Sequence, residues 1–191
     1  MTLPLALDLS LLSAALAGKG QPLLKRLRLL DGERIPGLSV FAPEPDDPIR
    51  AAAGGRLVPR LPSDDEIAGL RVLFVAGLEM TEAARLAAAA RDCRVLVNVE
   101  DCPPLCDFHV PAIVRRGELA ISVSTGGRSP TLARRVRDYL EGLLPETWAE
   151  RASRAAKLRE TLRAQGAGPA EIMEAVDTLI ASEGWLPPPA K

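Results

Sequence analysis

Apolar residues fall into two periods along this chain. Short, near-continuous apolar runs occur at residues 11–17, 38–42, 70–76 and 94–99. Between them apolar residues recur at helical spacing. Leu23, Leu24, Leu27 and Leu30 are interleaved with Lys25, Arg26 and Arg28, and an alanine-rich stretch over 81–90 carries Glu82 and Arg85. Apolar runs that alternate with helical patterns predict a parallel sheet covered by helices on both faces. The first run ends in Gly18-Lys19-Gly20, and Pro22 follows where a helix tolerates a missing N–H, so the order is strand, glycine turn, helix. Pro43 closes the second strand. Residues 45–69 are rich in Pro, Gly, Asp and Arg and predict a short helix, a short strand at Leu57-Val58 and loops. The expected fold class is α/β, a Rossmann-like parallel sheet over residues 1–110.

The pattern then changes. Residues 119–123 alternate like a strand, and Ser124-Thr125-Gly126-Gly127-Arg128 reads as a turn. Ser129 is a helix cap and Pro130 fits the first turn, which predicts a helix to residue 144, stopped by Pro145. Two further helices are expected over 146–165 and 170–182, separated by Gly166-Ala167-Gly168-Pro169, with an extended tail over 186–189. The helix after Ser129 gathers Leu132, Val136, Tyr139, Leu140 and Leu143 on one broad side. An apolar side so late in a small chain predicts a homodimer.

Composition narrows the classes. The 191 residues, 47% of them hydrophobic, suffice for one core with a smaller appendage. Lys and Arg total 24 against 25 for Asp and Glu, a net charge of −1, so no global field draws the chain to nucleic acid or to an anionic membrane. Aromatic residues at 3% argue against base-stacking platforms. The apolar stretch over 3–17 is interrupted by Asp8, lacks a preceding basic residue and is too short to span a bilayer, so it is expected to be folded protein rather than a targeting segment. Cys93, Cys102 and Cys106 form an odd set, which suggests reduced thiols and a cytoplasmic protein.

Several residue groups carry candidate chemistry. Gly18-x-Gly20 between a strand and a helix is half of a dinucleotide fingerprint, in which the backbone and the helix N-terminus approach a pyrophosphate. Leu23 stands where the third small residue of that fingerprint belongs, and Glu44, past the second strand, is placed to accept ribose hydroxyls. The alternative is a plain tight turn. Cys102, Cys106 and His109, flanked by Asp101 and Asp107, resemble a metal cluster but lack the second ligand pair of a closed zinc site. No structural metal is therefore expected; Cys106 reads as a small buried residue and Cys102 as a loop residue. Asp101 follows an apolar strand at the carboxyl edge of the sheet, where α/β folds bind ligands. It is either a general base or metal ligand, or a solvated loop aspartate. The loop from Ser124 to Ser129 is either an anion site or an ordinary turn. Arg115-Arg116 and Arg134-Arg135 are either solvated surface or an attraction for a ligand bearing many carboxylates.

Longer stretches carry a resemblance. Val97-Asn98-Val99-Glu100-Asp101, the run from Leu105 through Cys106-Asp107-Phe108-His109-Val110-Pro111 to Val114, the run Gly117-Glu118-Leu119 through Ser124-Thr125-Gly126-Gly127-Arg128-Ser129-Pro130, Leu132-Ala133-Arg134-Arg135 and Leu143-Leu144-Pro145 resemble the siroheme-synthase dehydrogenase/chelatase family. Leu3-Pro4-Leu5 and the Gly18–Gly20 turn fall where that family has its opening strand and NAD loop. The resemblance covers nearly the whole chain and is strongest over 95–145. It implies an NAD-binding Rossmann domain over 1–110, a dimerisation segment over 111–145 and a C-terminal helical domain over 146–191. It implies NAD-dependent oxidation of precorrin-2 to sirohydrochlorin, with ferrous iron as substrate of a second, chelatase step that gives siroheme. The alternative is a chelatase-only or non-catalytic tetrapyrrole-binding protein. By the same resemblance Asp101 is the catalytic carboxylate, Gly18, Lys19, Gly20, Glu44 and Gly77 bind the cofactor, and Asn98, Ser124, Thr125, Gly126 and Gly127 line the tetrapyrrole site. The family's methyltransferase domain is not expected at this length, so precorrin-2 is expected to come from another enzyme. Two departures stand out: Leu23 in the NAD loop, and Ala76-Gly77-Leu78-Glu79 where the family carries Ala-Thr-Asp.

Overall fold

Five parallel strands form the first sheet: β1 (Ala14–Gly18), β2 (Ser39–Phe41), β3 (Leu57–Val58), β4 (Val72–Ala76) and β5 (Leu96–Val99), in the order β3-β2-β1-β4-β5. The computed structural model describes residues 3–33 and 35–187. β1 lies at the centre, with Leu16 opposite Val40 of β2 and opposite Phe74 of β4. Its residues are all buried, as are those of β4, because helices cover both faces and neither face of the pleat meets water.

The period of two sorts these side chains. Ala14, Leu16, Val72 and Phe74 join a core with α1 (Gly20–Gly32) and α2 (Asp47–Ala53), to which Leu23, Leu24, Leu27, Leu30 and Ile49 contribute. Ala15, Ala17, Leu73 and Val75 join the opposite core with α3 (Asp64–Ala68) and α4 (Met80–Asp92), through Ile67, Ala83, Leu86, Ala87 and Ala90. Each buried leucine contributes about 2 kcal/mol by removing its surface from water. The α/β, Rossmann-like class expected from the apolar pattern is the class found.

Some boundaries differ from expectation. The first strand begins at Ala14 rather than residue 11, because Asp8 accepts the Ser10 N–H at 3.0 Å and caps a 3-10 turn over Leu9–Leu11. Helix α3 was hidden in the loop-rich stretch. Its sequence signal is a capping box in which Ser63 accepts the Glu66 N–H and Glu66 accepts the Ser63 N–H at 2.8 Å.

The chain divides at Val110–Pro111 into two units. The second opens with a hairpin of β6 (Ala112–Arg116) and β7 (Leu119–Val123), paired antiparallel. Sequence patterning foresaw only β7. In β6, Arg116 is buried where a charged residue argues for exposure. Its guanidinium donates to the Leu144 carbonyl at 2.6 Å and the Glu141 carbonyl at 3.1 Å. It thereby satisfies the last carbonyls of α5 (Pro130–Leu143). α6 (Trp148–Ala164) and α7 (Pro169–Ser182) complete the unit. Arg154 joins Glu183 at 2.8 Å and lies over the Trp185 ring, fastening the end of α7 to α6. The tail expected over 186–189 extends past residue 187, outside the described residues.

Candidate functional site

The order of the strands creates a crevice. From β1 the chain crosses to β2 on one side, whereas β4 and β5 lie on the other, so the loops after β1 and β4 diverge at their carboxyl ends. Gly18, Lys19 and Gly20 leave β1 there; Gly77, Leu78 and Glu79 leave β4 beside them. The Lys19 N–H donates to the Ala76 carbonyl at 3.1 Å. A Cβ on Gly18 would lie 1.9 Å from the Ala76 oxygen, and one on Gly77 would lie 2.3 Å from the Lys19 oxygen. These two glycines are required by the protein's own backbone. Gly20 differs: its φ is +65°, and the nearest atom to an added Cβ is Pro22 Cδ at 3.9 Å. It leaves open space at the start of α1.

That helix begins without a side-chain cap and without an acidic residue in its first turn. Its leading N–H groups, apart from the one Pro22 lacks, are available to an anion. Open space at Gly20 and an uncapped helix start fit the pyrophosphate of a dinucleotide. Leu23, where a small residue is usual, is fully buried in the core between α1 and the sheet. Lys19 Nζ and Glu79 Oε1 face each other at 4.0 Å across the mouth, both well exposed. Glu44 is exposed just beyond β2 with φ +51°.

Asn98 and Asp101 belong to the same edge. β5 ends at Val99, and the Glu100 N–H continues its ladder to the Val75 carbonyl at 2.9 Å. The Cys102 N–H returns to the Val99 carbonyl at 3.2 Å, closing a turn with Asp101 at φ +57°, its side chain exposed. Aspartate tolerates this left-handed conformation better than most residues. Asn98 is buried and donates its amide to the Phe108 carbonyl at 2.9 Å. The Cys106 thiol donates to the Val99 carbonyl at 3.1 Å. Burial pushes this thiol up, while its hydrogen bond with the Val99 backbone pulls the other way. Among the described residues no group of three or more His, Cys, Asp and Glu side chains is arranged to hold a metal ion. Asp107 is structural: it accepts the Val97 N–H at 3.0 Å and pairs with Arg91 at 2.9 Å.

Gly18, Lys19, Gly20 and Gly77 therefore meet at one crevice, with Glu44 and Asp101 at the ends of the flanking strands. Ser124, Thr125, Gly126 and Gly127 lie in the second unit, between β7 and α5. There Thr125 Oγ1 accepts the Ser129 N–H and donates to the Ser129 carbonyl, both at 3.0 Å, and Ser124 Oγ accepts the Gly126 N–H at 3.1 Å. Sequence inspection passed over Arg26 and Glu100, which are mostly buried together in the first unit. The available signal was a carboxylate two residues past Asn98, on the inward side of an apolar strand.

Comparisons with known proteins agree with this geometry. A family model described as "Putative NAD(P)-binding" matches residues 5–112, and one described as sirohaem biosynthesis protein central matches residues 116–143. The chain is 36% identical over 154 residues to a siroheme synthase of Pseudomonas entomophila, covering 79% of this chain and 33% of that protein. It is 35% identical over 163 residues to a siroheme synthase of Methylococcus capsulatus, covering 84% and 34%. The chain thus spans about a third of the length of these curated relatives. Its fold matches the solved structure of SirC, precorrin-2 dehydrogenase, with a TM-score of 0.75 at 19% identity, covering 94% of this chain and 89% of that one. With more than half its length under the first family model and the central segment following in order, the chain belongs to the siroheme-synthase family, built on an NAD(P)-binding domain.

Proposed function

We propose that this chain oxidises precorrin-2 to sirohydrochlorin with NAD, and that the same site takes ferrous iron as substrate to give siroheme. The supporting observation is a shared edge: the glycine crevice at β1 and β4 and the Asp101 turn after β5 lie at the carboxyl ends of adjacent strands. NAD, when bound, supplies the hydride acceptor. Gly18, Lys19, Gly20 and Gly77 form its backbone cradle, and the first N–H groups of α1 hold the pyrophosphate oxygens. Glu44 accepts the ribose hydroxyls and repels a 2′-phosphate, which selects NAD over its phosphorylated form. Asp101 takes the proton that the tetrapyrrole loses as its hydride leaves, so the substrate gives up two electrons and two hydrogens in all. In chelation the same carboxylate relays the two pyrrole N–H protons displaced by iron. Asn98, expected among the tetrapyrrole-lining residues, is buried and bonded to the Phe108 carbonyl, so its part in this reading is to tie the segment after Asp101 to β5. On the family resemblance, Ser124, Thr125, Gly126 and Gly127 are the proposed tetrapyrrole-binding residues of the second unit.

The second unit carries the partner surface. Leu132, Val136, Tyr139 and Leu143 of α5 are all exposed in the single chain, an apolar stripe suited to a second copy. Among the described residues no helix is long and apolar enough to cross a membrane. The three cysteines are free thiols, in keeping with a cytoplasmic setting.

Purified protein, precorrin-2 and NAD, mixed anaerobically and followed by absorbance, test the proposal; a second run adds ferrous ion. Asp101→Asn is expected to stay folded and lose roughly a hundredfold in turnover, the scale of a lost general base. A wild-type chain that binds no NAD by calorimetry would sink the dehydrogenase role and leave a chelatase or tetrapyrrole carrier. Leu23 in the helix and the Lys19–Glu79 pair across the crevice favour that second reading.

A further inference from the structure

Arg26 and Glu100 have no role in the chemistry above. Arg26 stands on α1, the helix that begins at the glycine crevice, and Glu100 immediately precedes Asp101. Their side chains are 11% and 14% exposed, with Arg26 Nη2 3.6 Å from Glu100 Oε1. Such a pair offsets its lost hydration only when its remaining polar atoms are also satisfied. Here they are not. Among the described residues, the buried side-chain atoms without a hydrogen-bond partner are Arg26 Nη1, Glu100 Oε2 and Asn98 Oδ1. All three belong to this corner of the sheet, with Asn98 two residues before Glu100 on the same side of the strand. Apolar side chains of similar volume would serve stability as well or better, so the pair is a poor stabilising device.

Its location suggests what else it does. The Asp101 turn is held by two backbone bonds, Glu100 N–H to Val75 and Cys102 N–H to Val99. Both fix the chain on either side of Asp101. Glu100 adds a side-chain tether from the turn to α1. We propose that Arg26 and Glu100 are positioning residues: the pair ties the helix at the dinucleotide crevice to the turn that presents Asp101, and so fixes the direction of that carboxylate. This rests on the reading of Asp101 as the proton acceptor.

The test replaces both partners, Arg26→Met with Glu100→Met, so that no unpaired charge is left buried. The double variant is expected to fold with wild-type or higher stability and an unchanged KM for NAD. Its kcat should fall about tenfold, within the range for a displaced catalytic group. In an Asp101→Asn background the same two changes should cost nothing further, because they act through Asp101. A wild-type kcat in the double variant, or an equal loss in both backgrounds, would overturn the proposal. Amide exchange separates this outcome from a failure of the functional reading. Should wild type and Asp101→Asn turn over precorrin-2 equally, the base assignment fails, but the tether still predicts exchange at the Cys102 N–H about tenfold faster in the double variant. Unchanged exchange there would show that the pair does not hold the turn.

Discussion

Gly18 and Gly20 look alike in the sequence, yet alanine is expected to act on them in different ways. At Gly18 the new Cβ would sit 1.9 Å from the Ala76 oxygen. An ordinary carbon–oxygen contact is about 3.3 Å, so β1 and β4 would have to part by more than 1 Å at the centre of the sheet. That movement breaks the 3.1 Å bond from the Lys19 N–H to Ala76. One lost backbone bond costs about 1 kcal/mol, and overpacking against an immovable neighbour about 1–3 kcal/mol. The sum is about 2–4 kcal/mol, or on the order of 15 °C in the melting temperature of a unit this size. At Gly20 nothing lies closer than 3.9 Å, and the cost is that of a left-handed alanine at φ +65°, about 1 kcal/mol. Urea unfolding followed by circular dichroism measures both, and calorimetry with NAD measures binding. Gly20→Ala should remain folded yet bind NAD weakly, because its methyl occupies the space offered to the pyrophosphate. A Gly18→Ala protein within about 0.5 kcal/mol of wild type would refute the steric reasoning. Full NAD affinity in Gly20→Ala would refute the placing of the pyrophosphate.

Arg116→Met should destabilise the second unit by about 2–3 kcal/mol in chemical denaturation, since it orphans the Leu144 and Glu141 carbonyls that a buried guanidinium now satisfies. Glu66 is held at about 2 by its hydrogen bonds with Arg60 and with the Ser63 N–H. Because the folded value lies below the ordinary one, the stabilisation from this carboxylate is complete above about 4.5 and is lost as pH falls through about 2; a carboxyl NMR titration midpoint near 4.5 would contradict it. Tyr139→Glu, at a residue 68% exposed in the single chain, should leave the monomer's stability within about 0.5 kcal/mol while converting a dimer to monomers in light scattering. A dimer that survives the change would move the interface off α5.

The apolar pattern determined much of this protein by itself. Runs apolar on both faces have no polar side to expose, so the stretches at 11–17, 70–76 and 94–99 read as strands of a covered sheet, and Gly18-Lys19-Gly20 as the turn after the first. The family-like segment around Asn98 and Asp101 was equally legible, because it is continuous in sequence. Other features required the tertiary structure. Strand β6 was obscured because Arg116 looks like a surface residue until the carbonyls of α5, distant in sequence, are brought to it. Gly18 and Gly20 separate into a backbone contact and an open cradle only when β4 is laid against β1. Asp107 resembles Asp101 in sequence, yet it is bound to Val97 and Arg91, while Asp101 stands exposed on its turn. Arg26 and Glu100 lie far apart along the chain, and nothing in the local pattern pairs them. Packing α1 onto the sheet buries them together, since whether a charge meets water depends on which surfaces the fold brings into contact, and local pattern does not contain that information.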